Sequence, residues 1–221
     1  MPMPENPTTK DKLMFAGIKV FARHGYKGAT VRQICQEAGT ANATAVNYYF
    51  GSKEKLYHAI LEVMFAENAR RREVQGQVLI DPAIDPVTRL RMALEMIIDV
   101  GFGTGPLAKD FTALLLRELM SPSQFLYEMV DTYVTQDDAV LRSIIRDFLG
   151  PEAPEEVVRD SMVSVAGQLF YYMAFWPVFS RIHPEHPGVS QYKEPLVEHI
   201  MRFSLAGLEA VRQGLDNSTE P

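Results

Sequence analysis

Apolar residues recur along most of this chain at intervals of three and four, the repeat of a helix that buries one face. Met14, Ile18, Phe21 and Ala22 form the first stripe, in a helix expected from about Thr9 to His24. Val31, Ile34, Cys35 and Ala38 form the second at i, i+3, i+4 and i+7, opened by Thr30 as N-cap and stopped by Gly39. After the polar run Thr40 to Thr44 a short third helix is expected, in which Ala43, Val46 and Phe50 share a face and Thr44, Asn47, Tyr48 and part of Tyr49 point elsewhere. Gly51-Ser52 ends it and caps a fourth helix with Leu56, Ala59, Ile60 and Val63 on its inner side, reaching to about Gln75. Beyond Pro82 the punctuation comes from Asp85-Pro86, Gly105-Pro106, Ser121-Pro122, Gly150-Pro151 and Pro184 to Pro187. It predicts helices near 86–102, 107–120, 123–149, 154–179 and 193–213, with the 123–149 element interrupted near Thr135 to Asp138. No run alternates as a strand does, so the expected fold class is all-α.

Two short helices around a tight turn, followed by a basic helix start, form the pattern of a module that reads DNA. The second helix of such a pair lies in the major groove, where an Asn side chain bonds a base edge and a Thr methyl touches thymine. On that basis Thr44, Asn47 and Tyr48 are assigned to the groove. Thr30, Arg32, Tyr49 and Lys53 are assigned to phosphates, with Thr40 and Asn42 of the turn beside them. Lys53-Glu54-Lys55 adds two ammonium groups to a helix N-terminus, both of which favour an anion.

Residues 10 to 64 resemble the DNA-binding domain of the TetR family of bacterial transcriptional regulators. The resemblance rests on Phe21-Ala22-Arg23-His24-Gly25-Tyr26, on Thr30-Val31-Arg32-Gln33-Ile34 and on Tyr48-Tyr49-Phe50-Gly51-Ser52-Lys53. It implies an N-terminal three-helix helix-turn-helix domain joined by a fourth helix to a C-terminal helical domain that binds a ligand and dimerises. The stretch from Gly39 to Phe50 is one residue longer than the family's usual turn, which leaves open which of Asn42, Ala43 and Thr44 faces the bases. The run Leu114 to Pro122, LLLRELMSP, together with Val46 to Gly51, is similar to the CecR-like subgroup, whose members respond to antibiotics and toxic compounds.

Length and charge sharpen this picture. A chain of 221 residues with 47% hydrophobic content can build one large or two small cores. The net charge of −6 argues against a polyanion partner until it is divided. Residues 1 to 72 hold eleven Lys and Arg against six Asp and Glu, whereas residues 73 to 221 hold eleven against twenty-two. A basic head on an acidic body binds phosphate through one end and repels it from the other. Cys35 is the single cysteine and sits on an apolar face, where packing is favoured over redox chemistry. The run Val163 to Phe179 is broken by Ser164, Gly167, Gln168 and Pro177, so no membrane span is expected, and the N-terminus lacks the pattern of a secretion signal. A cytoplasmic location follows as an expectation.

The C-terminal half suggests two further surfaces. Val158, Met162, Val165, Leu169, Met173 and Trp176 recur over one long helix, and Leu196, Ile200, Phe203, Gly207 and Ala210 over the last, against an ordinary intramolecular core as the alternative. The dimer interface is assigned to Val165, Leu169, Leu196, Ile200, Phe203, Gly207 and Ala210, because a two-fold pair places two reading helices about one DNA turn, ~34–36 Å, apart. Met96, Phe102, Phe111, Leu115, Arg117, Gln168, Tyr172 and Trp176 are assigned to a pocket for a small apolar molecule, with Glu118 as another polar anchor, although most such side chains also suit a core. Gly101 to Gly105 imitates a phosphate loop without a preceding strand, and His183 to His186 has metal-like spacing without further ligands. Both read as loops. Arg70-Arg71-Arg72 lies ~25 Å along the fourth helix and is expected to face the acidic body.

The domains expected are a helix-turn-helix over 1–52, a connecting helix over 53–80, a ligand-binding and dimerisation domain over 81–215 and a disordered tail over 216–221. No catalytic motif, metal site or cofactor is expected. The function expected is a homodimeric repressor that releases a palindromic double-stranded DNA operator when a small-molecule effector binds. Two alternatives stay open: an activator or partner-controlled regulator, and a helical carrier or enzyme with a vestigial DNA-binding module.

Overall fold

The computed structural model describes residues 6–40, 42, 44–103 and 107–219, and in the helices all side chains but those of 67, 68, 71–77, 218 and 219. Among the described residues all regular structure is helical. In chain order the helices are α1 (Thr9–Gly28), α2 (Val31–Glu37), α3 (Ala45–Phe50), α4 (Lys53–Ile80), α5 (Pro86–Gly101), α6 (Ala108–Met120), α7 (Gln124–Met129), α8 (Thr135–Leu149), α9 (Glu155–Ile182) and α10 (Lys193–Thr219). A π-helical turn, Val130–Val134, joins α7 to α8 a few residues before the expected interruption. The last turns of α10 occupy 216–219, where a disordered tail was expected.

The chain forms two compact units that do not follow the expected boundaries. One comprises residues 1–70 and 104–134, the other 71–103 and 135–221. Helices α6 and α7 belong with the N-terminal helices because their apolar faces are buried there. Leu114, Phe125, Leu126 and Met129 join Leu13, Ile18, Phe21, Ile34, Val46, Leu56 and Ile60 in one core.

Local chemistry explains the helix ends of this first unit. Thr8 and Thr30 each form a capping box, and the Thr30 Oγ1 accepts from Gln33 N at 3.2 Å while Gln33 Oε1 accepts from Thr30 N at 2.9 Å. The bonds from Thr8 hold the Asp11 carboxyl below its usual range. α1 runs past His24 but breaks at Gly25, whose φ of 68° is a conformation that other residues rarely adopt. Gly39 and Gly51 take the same left-handed region after α2 and α3. On α4 the buried stripe is Leu56, Tyr57, Ile60, Leu61 and Met64, rotated slightly from the expected one.

The second unit packs α5, α8, α9 and α10 around Leu90, Leu94, Ile98, Ile144, Ile145, Leu169, Val197 and Ile200, with Leu79 from the end of α4. Asp85 caps α5 by accepting from Thr88 N at 2.9 Å, and Gly101 brings α5 so near α9 that a Cβ there would stand 2.8 Å from the Met173 Sδ. Ion pairs bind its rim: Arg91 to Glu198 at 2.6 Å and Lys193 to Asp99 at 2.7 Å. By length and composition alone α9 is apolar enough to cross a membrane, and little of that apolar stretch is buried.

This distribution corrects the interface assignment. Val165, Leu169, Leu196 and Ile200 face the interior of their own unit, Leu169 with 0% exposure, so they build its core. Only Phe203, Gly207 and Ala210 of the expected set lie on the outside. α9 is apolar on both sides and α10 carries Phe203 and Val211 outside among charged residues, so periodicity alone does not say which side turns inward.

Candidate nucleic-acid interface

The reading surface begins with what anchors it. α3 is six residues long, too short to persist alone, and is held by burial of Ala45 and Val46 and partial burial of Phe50. Those positions fix its rotation. Asn47, Tyr48 and Tyr49 are consequently exposed, Tyr48 at 80%, and the two tyrosine rings meet edge to face at 4.9 Å. An exposed amide and two flat rings with hydroxyl tips offer donors and acceptors on a rigid element.

The turn has its own internal order. The Asn42 Oδ1 accepts from Thr44 N at 2.9 Å and from Thr44 Oγ1 at 2.6 Å, so Asn42 caps the segment that Thr44 enters. Its side-chain carbonyl is thereby engaged, which leaves the Asn42 amide NH2 as donor and the Thr44 oxygen as acceptor. Ala43, expected on the buried face, lies outside the described residues. Thr30 and Arg32 are exposed at the start of α2, and Thr40 is partly exposed at its end. The Thr30 hydroxyl is already occupied with Gln33, donating to its Oε1 at 2.9 Å.

Lys53 has partners within the protein. Its Nζ donates to Tyr26 O at 2.9 Å and Ala29 O at 3.0 Å and stands 4.5 Å from the Tyr26 ring centre. Two of its three N–H groups therefore hold the loop between α1 and α2. Lys55 is exposed in the first turn of α4, where Ser52 Oγ accepts from Lys55 N at 3.1 Å. It is the second of the two ammonium groups that the sequence places at this helix start.

A buried polar cluster lies in the same unit. The Glu118 side chain, 3% exposed, accepts a short hydrogen bond from the Tyr57 hydroxyl, and its other oxygen accepts from Ser123 Oγ at 2.7 Å and Ser123 N at 3.1 Å. Burial first, and then the bond to Glu118, push the Tyr57 hydroxyl well above the ordinary phenol range. Tyr57 thus stays a donor. Next to it, Arg117 donates from Nε to Ala22 O and from Nη2 to Arg23 O, both at 2.8 Å.

These bonds correct the pocket assignment. Phe111, Leu115 and Arg117 belong to the first unit, where Phe111 and Leu115 pack on its core and Arg117 bonds α1. Met96, Phe102, Gln168, Tyr172 and Trp176 belong to the second. There Gln168 Nε2 donates to Ser204 Oγ at 3.0 Å and ties α9 to α10, while Tyr172 and Trp176 lie beside Phe179 and His186. The imidazole of His186 is surrounded by rings, and no cluster of His, Cys, Asp or Glu among the described residues suits a metal. Cys35 is buried, as packing requires. Thr104 and Gly105 of the glycine-rich run lie outside the described residues, as do the side chains of Arg71 and Arg72.

Comparison with known proteins bears on both parts of the chain. Residues 13–60 match the family described as bacterial regulatory proteins, tetR family. Residues 86–208 match the family described as the C-terminal domain of the HTH-type transcriptional dual regulator CecR. The chain is 35% identical over 91 residues to the HTH-type transcriptional repressor NicS of Pseudomonas putida, covering 41% of each chain. It is 38% identical over 70 residues to the repressor AcnR of Corynebacterium efficiens, covering 32% of this chain and 37% of that one. The matches therefore span well under half the length of these two relatives. In structure it is similar to the transcriptional regulator FadR of Bacillus subtilis in complex with stearoyl-CoA, at 15% identity, TM-score 0.59, and coverage of 90% of this chain and 97% of that one.

Proposed function

Because the chain belongs to the TetR family of bacterial transcriptional regulators, with the CecR type of C-terminal domain, we propose that it works in the cytoplasm as a homodimeric repressor of a palindromic operator. The observation that carries this reading is the anchored α3, which presents Asn47 and Tyr48 outward beside the basic start of α4. In this reading Asn47, Tyr48 and the Asn42–Thr44 pair meet base edges, while Tyr49, Arg32 and Lys55 meet phosphates.

Dimerisation is supported by apolar side chains left outside the second unit. On α9 these are Val163, Phe170, Tyr171, Phe175, Val178 and Ile182, and on α10 Phe203 and Val211. Phe203 is 67% exposed, and Gly207, Ala210 and Gly214 near it are small enough for close helix approach. A two-fold pairing through this face covers it and sets the spacing of two reading heads.

The effector in this proposal is a small apolar or aromatic molecule held by the C-terminal domain; the long-chain acyl ligand named for the FadR structure supports the apolar class. α4 supplies Leu56 and Ile60 to one core and Leu79 to the other, which supports it as the coupling element. A ligand that binds one head spacing better than the other then shifts operator affinity by that difference. The family description of CecR as a dual regulator supports a second reading, in which the same binding also activates some promoters.

The test is titration of purified protein into labelled DNA from its own upstream region and into a scrambled fragment, at two salt concentrations. Discrimination that survives the higher salt supports the proposal. Equal, salt-sensitive binding to these and to a pool of genomic fragments overturns it.

A further inference from the structure

The corner between α1 and α2 poses a problem of backbone accounting. α1 is interrupted at Gly25, and four carbonyls around the break, those of Ala22, Arg23, Tyr26 and Ala29, accept from side chains. The partners found are two cations from distant helices. Arg117 of α6 takes Ala22 O and Arg23 O, and Lys53 of α4 takes Tyr26 O and Ala29 O. The glycine is needed for its φ of 68°, while the Arg117 Nη1 lies at ordinary contact distance, 3.7 Å, from where a Cβ would be.

α6 is fixed on its other side as well. Glu118, adjacent to Arg117 in sequence, accepts from Tyr57 of α4 and from Ser123 at the entry to α7. The Tyr57 ring packs 4.8 Å from Phe21 and 4.9 Å from Tyr26, on the same corner that Arg117 and Lys53 hold. One pair of residues on α6 therefore meets the two helices that flank the α2–α3 reading pair. A lysine in place of Arg117 has no planar fork to serve two successive carbonyls.

We infer that Arg117 is a positioning residue for DNA reading: it sets the direction in which the chain leaves α1 for α2, and so makes α6 and α7 part of the reading head. This inference rests on the DNA-binding reading above. A guanidinium with Nε and Nη2 on α1 acts through the backbone and not through phosphate, and that distinction can be measured.

The experiment uses full-length protein with Arg117→Met, which keeps an apolar stem without donors, and Arg117→Lys, which restores the charge and one point donor. Hydrogen exchange of the peptide spanning 22–30 reports the corner directly, and titration on the upstream and scrambled fragments at several salt concentrations reports its consequence. Arg117→Met is expected to accelerate exchange in 22–30 and to weaken specific binding on the order of tenfold, with an unchanged salt slope, while Arg117→Lys recovers part of both. Unchanged exchange with full specific affinity overturns the inference. A salt slope lower by about one overturns it differently, by making Arg117 a phosphate contact. Equal weakening in both variants, tracking their loss of thermal stability, reduces Arg117 to a general structural role and also overturns it. Wild-type protein that discriminates no genomic fragment overturns the regulator reading instead, and the exchange result then still decides whether the corner depends on Arg117.

Discussion

Both units bury polar groups, Glu118 in the N-terminal one and Arg89 in the C-terminal one, but only the C-terminal unit leaves a long apolar row outside on one helix, from Val163 to Ile182 of α9. Glu118 and Tyr57 are buried against each other, and Arg117 and Lys53 close backbone carbonyls, so the exterior keeps Asn47, Tyr48 and Lys55 for a polar partner. On α9 and α10 the core is complete with Val165, Leu169, Leu196 and Ile200, and yet Phe170, Phe175 and Phe203 remain exposed. The contrast teaches that one helical chain can present two surfaces of opposite chemistry, each defined by what its interior has already used. A nucleic acid suits the first and a second copy of the chain the second.

The sharpest way to break the comparison is to exchange the two sides of α9. Leu169→Ala removes a fully buried side chain and is expected to lower the free energy of unfolding by about 2–5 kcal/mol in a denaturant titration. Unfolding at the wild-type midpoint, with a changed oligomeric state, would return Leu169 to the interface from which the structure removes it. Phe203→Glu tests the outer side. It is expected to weaken association by more than ~2 kcal/mol in sedimentation or light-scattering dilution series, while leaving helix content intact. A dimer indifferent to a carboxylate at 203 would mean that something else covers this face.

On the N-terminal side the effects are smaller. Asn47→Ala is expected to cost ~1–3 kcal/mol on the upstream fragment and little on the scrambled one, read as the ratio of the two dissociation constants. Equal loss on both fragments would remove Asn47 from base reading. Thr30→Ala deletes half of a capping box and is expected to cost about 1 kcal/mol of stability, visible as a lowered unfolding midpoint. No change in that midpoint would mean that tertiary packing alone sustains α2.

Much of this was legible in the sequence where the signal is local. Thr30 as a cap, Asp85 before Pro86, and glycines 39, 51 and 150 announce helix ends because a cap or a positive φ depends on a few adjacent residues. What was not legible depends on partners far along the chain. The place of α6 in the N-terminal unit follows from bonds such as Arg117 to Ala22, separated by 95 positions. A pocket drawn from soft and aromatic residues scattered over 96–176 mixed two cores for the same reason. The interface failed on phase: α9 is apolar on both Leu169 and Phe170 sides, and only packing chooses between them.

The smallest effect tests the finest distinction, that between two lysines two residues apart. Lys53 has two N–H groups on backbone carbonyls and lies against Tyr26, while Lys55 is exposed in the same turn. A phosphate contact contributes through released counterions and appears in the slope of affinity against salt, whatever the DNA sequence. Lys55→Ala is therefore expected to weaken both fragments by a similar few-fold factor and to lower the slope by about one. Lys53→Met is expected to leave the slope unchanged and to act through the α1–α2 corner, as a loss of specific affinity accompanied by faster exchange in residues 22–30. If the two variants exchange these behaviours, Lys53 reaches phosphate with its third N–H and the carbonyl bonds do not hold in the complex.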